Sequence, residues 1–176
     1  PLRTSSAASD VYKRQVGSGV SIDSLLKKII PEGFFIPVSP GTRNVTIGGA
    51  IASDVHGKNH HLNGSFGNHI KEILLIDGRG SLKKLSSKNN EPEEIKNQFW
   101  ATIGGMGLTG VILEATFSLI PIETSKMQTN TFKYNDLDDL MDAMINSQES
   151  YQDIVAWVDS LSKKNRGVLT LSLIHI

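Results

Sequence analysis

The stretch "GGAIASDVHGKNHHLNGSFGNH", Gly48 to His69, decides how this chain is read. It holds five glycines and four of the chain's five histidines within 22 residues. A packed core has no use for that mixture, because glycine offers no side chain to bury and imidazole is polar. A backbone this bare, set beside imidazoles, suits a metal, a phosphate or a flat cofactor.

A metal requires ligands on a rigid frame. His56 and His60 are spaced to share a helical face, but zinc sites of that spacing need a stiff helix and an acidic neighbour. Gly57 and Asn59 lie between them and Gly64 and Gly67 follow, so no metal ligand is assigned. Downstream, "GGMGLTG" (Gly104–Gly110) contains the dinucleotide spacing G-x-G-x-x-G. That fingerprint works between a strand and a helix, with an acidic residue about 20 positions on. An alternating strand follows instead, which argues against a Rossmann nicotinamide site. The glycine clusters taken together allow another reading. "PGTRNVTIGGAIASDVHG" offers a turn and two adjacent glycines whose N–H groups can form an anion-binding concavity. Thr42, Thr46 and Ser53 add hydroxyls, and "GGMGLTG" can lie against the same ligand from another side. A ligand with both a pyrophosphate and a flat ring accounts for two such stretches. Tight turns alone would account for the glycines too.

Outward from this region, "SIDSLLKKIIPEG" sets Ile22, Leu25, Leu26, Ile29 and Ile30 at helical spacing, with Ser21 to cap and Pro31 and Gly33 to stop. "FFIPV" reads as a short buried strand before a turn at "SPGT". "IKEILLIDGRGSLKKLS" predicts a β-hairpin with Ile73–Ile76, a turn at Asp77-Gly78, then Leu82 and Leu85. "SKNNEPEE" reads as a polar loop and Trp100 as core. "VILEATFSLIP" predicts a strand with Val111, Leu113, Ala115, Phe117 and Leu119 on one side. The texture changes at about 121–125. Beyond it "MQTNTFKYN" and "IVAWVDSL" read as strands, and "DLDDLMDAMINS" as a helix with Leu137, Leu140, Met141, Met144 and Ile145 on its packed face.

Composition is that of an ordinary soluble chain, with a formal net charge of zero and no cysteine. Nucleic acid is not expected as a partner, since no large positive field is available. Disulfide and thiolate chemistry are excluded, and no apolar run reaches the roughly 20 residues of a spanning helix. The ends look foreign. The codons GAT GTG TAT AAG AGA CAG for Asp10–Gln15 have a reverse complement that translates as "LSLIHI", Leu171–Ile176. One DNA element read on both strands resembles a translated sequencing adapter, and "SSAAS" before it fits. Residues 1–15 and 171–176 are therefore expected to be non-native and are set aside.

With its motifs in view, the sequence resembles a known family. "PVSPGTRNVTIGGAIASDVHGKNHHLNGSFGNHI", then "DGRG" and "FWATIGGMGLTGVILEATFSLIP", resemble the FAD-binding PCMH-type domain of the vanillyl-alcohol-oxidase-like flavoproteins. Within it, "GKNHH", "GSFGNH" and "WVDSL…NRGVL" are similar to the decaprenylphosphoryl-β-D-ribose 2′-oxidase family. The resemblance covers essentially all of 16–170. It implies an α+β fold: a partial FAD-binding domain over 16–122, then the start of a substrate domain over 123–170.

The resemblance also assigns roles. Gly41, Thr46, Ile47, Gly48 and Gly49 would line the pyrophosphate and ribityl chain of FAD. Ser53, Asp54, Val55 and His56 would run along the flavin, and Ile112 would touch the adenine side. His56 and Lys58 would face the substrate, His56 relaying the hydroxyl proton or merely contacting the flavin, and Lys58 holding a phosphate or steadying flavin charge. Asp54 equally suits a local cap, and His60 and His61 suit structural roles. The activity implied is oxidation of a secondary sugar hydroxyl to a ketone, with decaprenylphosphoryl-ribose as the substrate. An aldonolactone or sugar-alcohol oxidase is the alternative, and a non-catalytic metal-binding module the rival of another class. A polyprenyl-phosphate sugar, a nicotinamide-dependent reductase and peripheral contact with either face of the inner membrane follow as expected partners and location. Because the first phosphate loop and most of the substrate domain would lie outside it, this chain alone is expected to hold FAD weakly or not at all.

Overall fold

The computed structural model describes residues 12–174. The chain is α+β and forms two units: residues up to Gly57 with Asn63–Pro121, and Lys58–Leu62 with the residues from Ile122 onward.

The first unit is built on four antiparallel strands in the order β1-β5-β3-β4, namely β1 (Lys13–Gly17), β3 (Ile70–Ile76), β4 (Leu82–Ser86) and β5 (Val111–Ser118). A two-residue strand β2 (Phe34–Phe35) pairs separately with β6 (Ile120–Pro121). "FFIPV" is thus a strand for only its first two residues, since Pro37 cannot donate to a ladder; Ile36 and Val38 are buried all the same. Helix α1 (Ile22–Ile29) starts at the Ser21 cap, whose Oγ accepts the Ser24 N–H at 3.1 Å. It ends in a 3-10 turn closed by Gly33 at φ 83°. Ile22, Leu25 and Ile29 are buried with Val16, Ile73, Leu85, Ala115 and Phe117 in the main core.

Helix α2 (Ile47–Ala52) has only six residues and two glycines, a poor helix by propensity. Complete burial of Ile47, Ala50 and Ile51 holds it in place. Helix α3 (His60–Asn63) is a single turn, and Phe66–His69 forms a second 3-10 turn. Helix α4 (Glu93–Thr102) escapes the reading of that region as loop and core. Its signals are Pro92 at the start and Glu93 and Glu94 in the first turn, where they favour the helix dipole. Phe99, not Trp100, is its core residue. Trp100 is about half exposed and lies edge-on against Phe99, 5.1 Å between ring centres.

Two irregularities reset the β pattern. In β5, Glu114 pairs with Leu74 but Ile112 with Leu75, which leaves Leu113 as an extra residue. Such a bulge shifts the phase of the side chains. Ile112 is consequently buried and Val111 exposed, the reverse of strict alternation. A matching shift between Ile70 and Glu72 puts both Ile70 and Ile73 inside.

The hairpin turn also differs from a two-residue Asp-Gly turn. Residues 77–81 form a longer loop in which Asp77 Oδ1 accepts the N–H groups of Arg79 and Ser81, each at 2.9 Å, and Gly80 takes φ 78°. The Ser81 and Arg79 amides, with Lys83 at 3.3 Å, hold the Asp77 carboxyl below its ordinary pKa. The folded pKa being the lower one, Asp77 stabilises the loop above its unfolded value and loses that effect as pH falls through the folded one. Asp77→Asn is expected to lower the melting temperature at pH 7, with the gap to wild type closing from roughly pH 4 downward. A gap that did not change with pH would contradict this.

The second unit is a three-stranded antiparallel sheet in the order β7-β9-β8, made of β7 (Met127–Tyr134), β8 (Asp153–Val158) and β9 (Gly167–Ile174), with α5 (Leu137–Ser147). Asp136 caps α5, its Oδ1 accepting the Asp139 N–H at 3.0 Å. The packed face of α5 is Leu137, Leu140, Ala143 and Met144 against Ile154, Leu169 and Leu171. Met141 and Ile145 are exposed instead. They fall on the margin of the stripe, which covers less than half of the helix circumference.

Residues set aside as foreign take part in the four-stranded and the three-stranded sheet. Lys13, Arg14 and Gln15 pair with Phe117 and its neighbours, and buried Arg14 forms an ion pair with Glu32. Leu171–Ile174 complete β9.

Candidate functional site

The segment around Gly48 is fixed at its start by the residues before α1. Val20 O accepts the Ile47 N–H at 2.9 Å, Ser18 O accepts the Gly48 N–H at 2.8 Å, and Val45 O accepts the Ile22 N–H at 2.9 Å. Thr46 caps α2, its Oγ1 accepting the Gly49 N–H at 3.1 Å. The amides of Ile47, Gly48 and Gly49 therefore all donate within the chain. That corrects the expectation that the paired glycines leave N–H groups open for an anion. Gly48 is bare for a different reason: a Cβ there would stand 2.9 Å from Ser18 Cβ.

What α2 leaves to solvent is a strip of small residues. Thr46, Gly49 and Ser53 follow one another at i, i+3 and i+7 on one side, all exposed, and His56 is exposed just beyond. Gly41, in the loop before, is exposed with nothing within 4 Å of where a Cβ would sit. Thr46 and Thr42 use their oxygens to accept the Gly49 and Asn44 amides, which leaves each hydroxyl proton to donate.

The structure brings the second glycine segment to the same place. The Gly104 N–H donates to Ile51 O at 3.0 Å and the Met106 N–H to Ala52 O at 2.8 Å, so the loop is pinned to the end of α2. Its glycines serve different ends. Gly105 and Gly110 are pressed on backbone, with a Cβ position 2.2 Å from Ala101 O and 2.2 Å from Ile76 O. Gly107 has φ 79° with open space around it, beside exposed Met106 and Leu108.

The remaining candidates separate. Asp54 acts as a clip, its Oδ1 accepting the Gly67 N–H at 2.8 Å. Val55 is half-buried against the core, and its carbonyl accepts the Phe66 N–H at 2.8 Å. His56 is bridged to Ser65. The Ile112 side chain lies in the core, so only its backbone is left for a ligand. Lys58 is exposed and belongs to the second unit, where its carbonyl accepts the Ile154 N–H at 3.1 Å. His61 Nε2 lies 3.3 Å from Tyr151 O and His69 Nε2 2.9 Å from Asn63 O, so each ring donates to a carbonyl. Among the described residues, no three His, Asp or Glu side chains form a metal-ligating group. A separate cavity of about 180 Å³ on the open face of the sheet is lined by Gln15, Glu72, Lys84 and Glu114; there Glu72 is matched by Lys84 at 3.0 Å and by Lys88.

FAD fits the donor set of this strip. A flat ring needs small residues and open glycines, and a pyrophosphate needs hydroxyl and amide donors without an opposed carboxylate. Gly41, Thr46, Gly49, Ser53 and Gly107 meet the first need and the two threonines part of the second, while the carboxylate of Asp54 is turned onto Gly67. The pinning of the second loop is the feature that sequence reasoning does not reach, because the bonds that make it are backbone to backbone.

Comparison with known proteins agrees with this fit. Residues 11–86 match the FAD binding domain family. The chain is similar to the decaprenylphosphoryl-beta-D-ribose oxidase of Mycolicibacterium smegmatis, 42% identical over 149 residues, which are 84% of this chain and 32% of that protein. It is 29% identical to L-gulonolactone oxidase 5 of Arabidopsis thaliana over 159 residues, 84% of this chain and 25% of that one. A D-lactate dehydrogenase of Anaerostipes hadrus is 24% identical over 125 residues, 71% and 26% of the two chains. The chain thus spans about a third or less of the length of these relatives.

Proposed function

We propose, from the match of residues 11–86 to the FAD binding domain family, an oxidoreductase that uses FAD to convert a secondary sugar hydroxyl to a ketone. The observation that carries the reading is the 42% identity to a decaprenylphosphoryl-beta-D-ribose oxidase, sustained over 84% of the chain. The substrate in this proposal is decaprenylphosphoryl-β-D-ribose and the product its 2-keto form, a precursor step toward cell-wall arabinan.

When bound, FAD supplies the two-electron acceptor for the hydride that leaves the substrate carbon. The chain's own residues bind and orient. Gly41 and the segment Thr46–Gly49 hold the pyrophosphate and ribityl chain, with the Thr46 hydroxyl as donor. Ser53 and His56 would lie along the ring, with Asp54 and Val55 between them tied to Gly67 and Phe66, and the Ile112 backbone would meet the adenine side. His56 takes up the hydroxyl proton, a task suited to an imidazole near neutrality. Lys58 carries the cation that a phosphate-bearing substrate needs. A nicotinamide-dependent reductase then consumes the ketone. Peripheral contact with either face of the inner membrane suits a polyprenyl substrate, and among the described residues no helix is long and apolar enough to cross a membrane. The second reading, an aldonolactone or sugar-alcohol oxidase, is favoured by the similarity to L-gulonolactone oxidase 5.

The test is the product of the complete gene that contains this segment, with its visible spectrum recorded before and after acid precipitation. Flavin bands released into the supernatant are expected, as for noncovalent FAD. Anaerobic bleaching of those bands by decaprenylphosphoryl-ribose, and not by an aldonolactone, is expected next; the reverse preference selects the second reading. Protein that stays colourless after incubation with FAD overturns both. The 176-residue chain itself is expected to bind FAD weakly or not at all.

A further inference from the structure

We propose that Asp54 is a positioning residue for the flavin-facing strip, an inference that rests on the reading just given. Three segments of the first unit meet at this side chain. Its own segment leaves α2 with Asp54 at φ 41°, a left-handed conformation that a residue with a short polar side chain tolerates better than most. Its Oδ1 accepts the Gly67 N–H at 2.8 Å. The next two residues continue the same attachment, Val55 O accepting the Phe66 N–H and His56 bridging to Ser65. From the third side, Gly104 packs so that a Cβ there would stand 3.4 Å from Asp54 Cβ, and Ile103 Cγ2 would stand 2.4 Å from a Cβ on Gly67.

The consequence lies in what flanks it. Ser53 and His56, both exposed, sit on either side of this clip. Their spacing is set by the turn at Asp54 and by the 54–56 segment being fastened to 65–67. The carboxylate is a side-chain link in that fastening, beside the backbone bond from Phe66 to Val55. Neither contact with a ligand nor proton transfer is assigned to Asp54, only the geometry of its neighbours.

Two properties of the side chain can be separated by substitution. Asp54→Asn keeps an acceptor oxygen and suits positive φ. Asp54→Gly keeps the backbone conformation and removes the acceptor. Asp54→Glu keeps the charge and displaces the acceptor by a methylene. The apo form of the complete gene product would be titrated with FAD by flavin fluorescence, with the visible band shape of the bound flavin and the apo melting temperature recorded alongside. Asp54→Asn is expected within about threefold of wild-type affinity, and Asp54→Gly and Asp54→Glu about tenfold weaker with a broadened flavin band, because the Gly67 N–H is left without its acceptor.

A lower melting temperature in Asp54→Gly with unchanged affinity and band shape would make Asp54 a folding residue only and overturn the inference. Wild-type affinity in Asp54→Glu with loss in Asp54→Asn would show that charge matters and overturn it equally. Both results leave the flavoprotein reading standing. Failure of the wild-type protein to take up FAD overturns that reading and this inference together.

Discussion

Replacing Gly110 by alanine is expected to unfold the first unit or leave it barely stable. Gly110 has φ 145°, a conformation that side-chain-bearing residues avoid at a cost of about 1–3 kcal/mol. A Cβ there would also lie 2.2 Å from Ile76 O and 3.0 Å from both Ile76 C and Asp77 Cα. All three atoms are backbone at the end of β3, and none can retreat without opening the β3–β4 hairpin or the β3–β5 ladder. Together these effects amount to at least about 3 kcal/mol, a large share of the stability of a domain. Gly107→Ala is the control: its φ is 79° but nothing stands within 4 Å of the new methyl, so about 1 kcal/mol is expected. Denaturant midpoints of the two variants decide. If Gly110→Ala melts with Gly107→Ala, the packing of Gly110 on the hairpin is wrong.

The second large effect is expected at Phe66. Its ring is 1% exposed and lies 5.8 Å from that of Phe117, tilted by 49°. Its amide donates to Val55 O, so one residue joins the core to the segment beneath the proposed flavin strip. Phe66→Ala should cost about 3–5 kcal/mol, the range for removing a buried aromatic ring. Phe66→Leu should restore most of this. Because the cavity would open under residues 54–56, loss of FAD is expected at temperatures where the rest of the unit still melts cooperatively. FAD retention by a folded Phe66→Ala protein would show that the segment does not depend on this anchor.

Much of the architecture was legible where one signal acted alone. Helix α1 could be read from the Ser21 cap, the Ile22, Leu25 and Ile29 spacing and the stop at Gly33, which all agree. The readings failed where a second effect intervened. Leu113 looks like a core residue because period-2 alternation says so, and only pairing with β3 reveals the bulge that turns it out of phase. Helix α4 carries a weak apolar stripe interrupted by Lys96, Asn97 and Gln98, so its periodicity stays hidden although its charged first turn does not. At the site, the residue types single out two glycine segments, and the structure joins them. The bonds that join Gly104 and Met106 to α2, and the one that occupies the Gly48 amide, involve main-chain atoms common to every residue. Side-chain chemistry carries no trace of them.

The membership of Lys58–Leu62 in the second unit bears on how these units can be exchanged between proteins. The second unit is discontinuous in sequence, since Ile154 and Tyr151 find partners in Lys58 and His61, more than ninety positions upstream or close to it. A chimaera joined at Pro121 would therefore transplant the sheet and helix while leaving those two partners in the donor. Recombination that respects the fold must carry a small cassette from the middle of the glycine-rich stretch as well. Substitutions in "KNHHL" are then inherited with the second unit, whatever the sequence around them suggests.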